Sequence, residues 1–173
     1  MPAHQVSFMN EETYESIFFH PRKKTRIPGF DYASQNYYFV TICTHNRKNM
    51  FGTPMHLNAL GQVAKQCMEM IPQYYPNIMV DKFVIMPNHV HGILAIHEPK
   101  DNKIINLSKV VGQYKMAVSR EFHRDRPNET LWQRSFHDHV IRNQKSYEKI
   151  WLYIEANPMK WEEDCFYSKD PIL

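Results

Sequence analysis

Long apolar runs are missing from this chain of 173 residues. No stretch approaches the roughly 20 residues that a membrane span needs, and Met1 to Asn10 carries no signal-peptide core. The reading is a cytoplasmic protein with no membrane association. A disulfide framework is missing as well: Cys43, Cys67 and Cys165 are odd in number and widely spaced, with no C-x-x-C pair, which also argues against a structural zinc knuckle. No G-x-x-x-x-G-K-[ST] loop is present, so nothing points to a nucleotide triphosphate as energy source. An excess of one charge is absent too, with 21 Lys+Arg against 18 Asp+Glu and a formal balance of +3. Any attraction for an anionic partner must therefore come from where the charges lie. There is no internal repeat and no low-complexity tract. What is present, 43% hydrophobic residues, suffices for one globular domain with a substantial core.

The first thirty residues divide into an acidic piece (Glu11, Glu12, Glu15) and a basic one, Arg22-Lys23-Lys24-Thr25-Arg26, followed by Pro28-Gly29. They read as a basic arm outside a single domain spanning 31–173. Tyr37 to Thr44, rich in aromatic and β-branched residues, predicts a strand. Leu57 to Ile71 places apolar residues three and four apart and predicts an amphipathic helix stopped by Pro72. Ile78 to Met86 and His89 to Ile96 are strand-like runs joined by Pro87-Asn88, compatible with a hairpin or with one bent strand. Leu107 to Phe122 has helical periodicity, Leu131 to Ile141 fits a short strand, and Tyr147 to Asn157 fits a last helix closed by Pro158. The order suggests an α+β layer: a ferredoxin-like antiparallel sheet with helices on one face.

Chemistry concentrates in two places. In a strand, His89 and His91 share one face while Val90 points to the other, so two neutral imidazoles on a rigid element can grip a first-row divalent metal. An isolated H-x-H also occurs as two histidines on a solvated face. On the last helix, Tyr153 and Asn157 are four apart, with Cβ atoms about 6 Å from each other, so a phenol and an amide can reach one site. Tyrosine can act as a nucleophile, and a nearby metal would polarise the phosphate it attacks. Tyr114 and Tyr147 are also helical tyrosines that periodicity does not rank below Tyr153. His137-Asp138-His139 offers a rival pair of ligands, although Asp138 would face away from both histidines.

These pieces together resemble the REP-associated tyrosine transposases, within the single-tyrosine HUH-motif transposases. The resemblance covers nearly the whole chain. It rests on Pro28-Gly29-Phe30-Asp31-Tyr32 running into Tyr38-Phe39-Val40-Thr41, on Met86-Pro87-Asn88-His89-Val90-His91, on Trp132-Gln133-Arg134-Ser135-Phe136, on His139-Val140-Ile141-Arg142-Asn143, and on Tyr153-Ile154 with Asn157-Pro158. It implies that His89 and His91 lie on a central strand and bind a catalytic Mg2+ or Mn2+, that Tyr153 is the nucleophile, and that Asn157 completes the metal site. It also implies a single-stranded DNA substrate bearing a palindromic hairpin, cut through a 5'-phosphotyrosine link and rejoined by a 3'-hydroxyl. Both monomers and homodimers are compatible with it. DNA contacts are expected from Arg22, Lys23, Lys24 and Arg26 of the arm and from Arg134, Arg142 and Trp132, the last of which reads equally as a core residue. Two other classes stay open: a nuclease using water as nucleophile, and a hairpin-binding protein without catalysis.

Overall fold

The computed structural model describes residues 31–98 and 105–172. The basic arm with Arg22, Lys23, Lys24 and Arg26 lies outside the described residues. The elements in chain order are β1 (Tyr37–Cys43), a 3-10 turn (His45–Arg47), α1 (Ala59–Glu69), the short α2 (Ile71–Tyr74), β2 (Ile78–Met86), β3 (His89–Ile96), α3 (Leu107–Asp125), β4 (His137–Ile141), α4 (Gln144–Ala156) and a closing 3-10 stretch (Asn157–Glu163).

The strands form one antiparallel sheet in the order β2-β3-β1-β4. Met86 pairs with His89, so Pro87-Asn88 turns a hairpin. β3 lies inside the sheet between β2 and β1, which puts His89 and His91 on a central strand. Thr41 is opposite His91 on one side and His137 on the other. Paired residues share a face, so one sheet face carries Phe39, Thr41, His89, His91, Ile93 and His137.

The other face bears Tyr38, Val40, Ile42, Val90 and Leu94, and α1 and α3 cover it through Ala64, Met68, Val110, Val111, Tyr114 and Val118. Helices on that face match the expectation. The last helix does not join them: Ile150 and Ile154 of α4 pack on Phe39 and Ile93, on the histidine side. The apolar stripe of a helix says that it packs on something and leaves open which side of the sheet receives it.

Asparagines start the three longer helices. Asn58, Asn106 and Asn143 each accept a backbone N–H three residues on, from Gly61 (2.9 Å), Lys109 (2.9 Å) and Ser146 (2.8 Å). Each satisfies an N–H that would otherwise lack a partner at the helix end. Prolines act differently from expectation. Pro72 opens α2 instead of only stopping α1, and Pro158 does not end the helical path, because Asn157 keeps φ −54° and ψ −44° and Pro158 sits in the first turn of the 3-10 stretch. Both prolines occupy first-turn positions, where a missing N–H costs no helical hydrogen bond. The strand expected over Leu131 to Ile141 is confined to His137–Ile141, and Trp132 makes only an isolated bridge to Thr44.

Candidate active site

Strand alternation delivers His89 and His91 side by side, with ring centroids 4.4 Å apart. Both are fully buried. His89 Nδ1 hydrogen-bonds Asn88 Oδ1 at 2.9 Å. An amide oxygen only accepts, so the proton sits on Nδ1 and the Nε2 lone pair is bare. That Nε2 is buried with no hydrogen-bond partner. His91 Nδ1 shares a hydrogen bond with Thr41 Oγ1 (2.9 Å), and His91 Nε2 meets the Tyr153 hydroxyl at 3.1 Å. A threonine hydroxyl can donate or accept, so Thr41 supports either tautomer of His91.

Helix α4 brings Tyr153 over the same sheet face. Its ring meets Phe39 edge-on at 6.3 Å and His91 at 5.2 Å. The 3-10 stretch that follows then carries Asp164 back to the site. Tyr153 donates its hydroxyl proton to Asp164 Oδ2 at 3.1 Å, and Asn157 Nδ2 donates to the same oxygen at 2.5 Å. The other carboxylate oxygen accepts the Phe166 backbone N–H at 2.7 Å. Asn157 Oδ1 is buried without a partner.

Burial dominates the electrostatics. It pushes His89 down to about 3, helped by the Arg47 charge. His91 is held well below its usual range by burial and by His89, against the opposing pull of Asp164. Both imidazoles are thus neutral near pH 7, the form that ligates metals. One ligand atom from each of His89, His91 and Asp164 falls within 4.8 Å of the others, so the three residues can hold a metal ion. The donor chemistry fits: the two partnerless buried atoms beside this group, His89 Nε2 and Asn157 Oδ1, are both electron-pair donors that a cation would satisfy.

Other expected site residues lie elsewhere. Trp132, which the sequence offers as a base-stacking clamp or a core residue, is only 6% exposed and packs on Phe51 and Tyr114, with its indole N–H donated to the Lys115 carbonyl at 3.1 Å. It is a core residue, since its ring faces are already covered. Arg134 and Arg142 are exposed. His137 and His139 stand on β4, on the same sheet face as His91, with His137 exposed and His139 half-buried. Among the described residues, the group of ligating side chains that gathers for a metal contains neither. Tyr114 is buried in the opposite core, and Tyr147 donates to Asp81 Oδ2 at 2.6 Å. Asp164 and Asn88 were missed by sequence reasoning. Asp164 has no periodic relation to Tyr153, whereas Asn88 adjoins His89 and reads as part of the strand connection and the histidine motif, with no role of its own.

The family model described as "Transposase IS200 like" matches residues 32–157. An uncharacterized protein of Haemophilus influenzae is 36% identical over 169 residues, covering 86% of this chain and 94% of the relative. The REP-associated tyrosine transposase of Escherichia coli K12 is 24% identical over 129 residues, covering 75% of this chain and 70% of that protein. A solved structure of a REP-associated tyrosine transposase bound to a REP hairpin has the same fold, with a TM-score of 0.55 and 22% identity over 78% of this chain and 73% of that one. With its sheet, its histidine pair and its helical tyrosine in place, the chain belongs to the IS200-like transposase family, and it has REP-associated tyrosine transposases among its relatives.

Proposed function

We propose that the chain cleaves and rejoins single-stranded, hairpin-bearing DNA through Tyr153, with a divalent metal held by His89, His91 and Asp164. One observation carries this reading: the Tyr153 hydroxyl lies 3.1 Å from His91 Nε2 and 3.1 Å from Asp164 Oδ2, inside a group of donors suited to a cation. The phenol oxygen attacks a phosphodiester phosphorus. A P–O bond forms to Tyr153 as the phenolic proton passes to Asp164, and the bond to the 3'-oxygen breaks as that oxygen takes a proton from water, leaving a 5'-phosphotyrosine and a free 3'-hydroxyl. Attack by a 3'-hydroxyl reverses the step and rejoins the strand, so the energy of the broken bond is conserved without ATP.

A bound cation supplies charge stabilisation for the phosphate oxygens in the transition state. Between Mg2+ and Mn2+, two imidazole ligands favour Mn2+. Asn157 holds Asp164 through its amide N–H, and its Oδ1, buried without a hydrogen-bond partner, would be available as a further ligand. Residues 31–173 serve as the catalytic domain, and Arg22, Lys23, Lys24 and Arg26 of the arm, with Arg134 and Arg142, supply the charge that attracts the DNA backbone. The setting is cytoplasmic, where such DNA is met.

The test is incubation with labelled hairpin DNA and Mn2+, resolved on a denaturing gel for wild type, Tyr153→Phe and His89→Ala. A retarded, protease-sensitive DNA band lost in both variants is expected. Cleavage that survives Tyr153→Phe without attachment would replace the reading with a water-using nuclease, and binding with no cleavage under either metal would leave a hairpin-binding protein.

A further inference from the structure

We propose that Arg47 is the anion-binding residue of this site, receiving a backbone phosphate of the single strand as it passes over His89 toward Tyr153. The proposal rests on the transposase reading above and adds a residue that the sequence motifs did not point to. Its evidence begins with the backbone. Asn46 and Arg47, directly after β1, have φ of 53° and 54°, and among the described residues they alone combine a positive φ with a side chain. Asparagine tolerates that conformation, but arginine gains nothing from it. Strain of this kind persists where surrounding contacts fix the chain and the side chain has a task.

The fixing contacts lead to the site. Arg47 N–H donates to the Thr44 carbonyl at 3.1 Å, and the Arg47 carbonyl accepts Asn88 Nδ2 at 3.0 Å. The same Asn88 side chain bonds His89 Nδ1 at 2.9 Å. One amide therefore sets both the arginine loop and the metal-facing imidazole. The guanidinium carbon stands 4.9 Å over the Phe166 ring, and the same ring also meets His89, with ring centroids 4.6 Å apart.

What the guanidinium lacks is an anion. Among the described residues no carboxylate lies within ion-pair distance of Arg47, and its one hydrogen bond is a long 3.4 Å contact from Nη1 to the Cys165 carbonyl. A guanidinium carries five N–H donors in a planar fork that matches two phosphate oxygens. Arg47 is half-buried, so a strand can reach it, and water screens its charge less than at an open surface. Burial is the larger cause of the lowered proton affinity of His89 on β3 and of His137 on β4, and the Arg47 charge adds to it at both.

The experiment uses full-length protein and a fluorescent DNA hairpin with randomised single-stranded flanks, measured by anisotropy without metal and by adduct formation with Mn2+. Arg47→Gly suits the left-handed backbone and removes the charge, Arg47→Gln keeps the length, and Arg47→Lys keeps a charge without the fork. Thermal melting checks that each variant folds. The expected result is an affinity loss of about tenfold or more in Arg47→Gly and Arg47→Gln, with partial recovery in Arg47→Lys. A methylphosphonate placed stepwise along the flank should weaken wild type at one position near the cleavage point and leave Arg47→Gly indifferent there. Folded variants that bind as tightly as wild type, with an unchanged methylphosphonate profile, would overturn the proposal. If wild type forms no adduct but the binding results hold, the tyrosine mechanism fails and Arg47 stands as a strand-binding residue. If adducts form and Arg47→Gly makes them at the wild-type rate and affinity, the reverse is true.

Discussion

Asn88 uses every polar atom of its side chain inside the turn between β2 and β3. Its amide nitrogen donates to the Arg47 carbonyl (3.0 Å) and to the Phe166 carbonyl (2.8 Å), and its oxygen takes the His89 Nδ1 proton (2.9 Å). Removing a buried group with three partners leaves those partners unsatisfied, so Asn88→Ala should lower unfolding free energy by about 2–4 kcal/mol in urea titrations. The same change frees the His89 tautomer, and Mn2+ affinity measured by calorimetry should fall about 10–100-fold. Stability lost with unchanged metal affinity would mean that packing alone orients His89. Cysteine chemistry at this scale follows burial: Cys43 is pushed up to about 12, chiefly by desolvation, while Cys165 is exposed. Native-state alkylation at pH 8 followed by mass spectrometry should label Cys165 and spare Cys43. The histidine pair was legible from sequence because strand alternation is local. Asp164 was not, because its place depends on the path of a whole 3-10 stretch.

At the scale of elements, the question is what holds α4 so that Tyr153 meets the histidines. β2 carries a register shift between Val80 and Lys82, and the extra residue lets Asp81 and Lys82 both reach α4. Asp81 accepts the Tyr147 hydroxyl, and Lys82 pairs with Glu155 while lying 4.0 Å over the Trp151 ring. The bulge thus grips one helix at both ends. The hydrogen bond to Asp81, with burial and the Asp81 charge behind it, pushes the Tyr147 phenol from 10.0 up to about 12. A raised folded pKa means that the unfolded chain loses this proton first, so the stabilisation is whole below pH 10 and is lost as pH rises from 10 to 12. Alkaline urea titrations should show that loss in wild type and a shallower one in Tyr147→Phe. An identical slope in the two proteins would show that Asp81 does not hold the phenol. At the N-terminus of α4, Asn143→Ala should cost about 1 kcal/mol through the lost cap. Periodicity made α4 visible in the sequence, yet neither the bulge nor the side of the sheet it occupies could be read, since both arise from pairing between distant segments.

For the molecule as a whole, the two sheet faces are unequal. The α1 and α3 face holds most of the buried apolar side chains, while the α4 face has a small cluster of Phe39, Ile93, Ile141, Ile150 and Ile154 around a polar centre. That division puts most of the apolar burial on one side and the group of His89, His91 and Asp164 on the other. On the polar side, His89 Nε2 and Asn157 Oδ1 are desolvated without partners, a cost that the larger core offsets. A cation bound there would relieve the cost only in the folded state, because His89, His91 and Asp164 are brought together by folding. Mn2+ should therefore stabilise the protein, by about 2.7 kcal/mol at a hundredfold excess over Kd. For a domain of this size that corresponds to a rise in Tm of about 5–11 °C. EDTA should return the melt to its starting point, and His89→Ala should melt at one temperature with or without Mn2+. A wild-type Tm indifferent to saturating Mn2+ and Mg2+ would show that the three donors do not form a cation site, and any adduct at Tyr153 would then have to form through Asp164 and Arg47 alone.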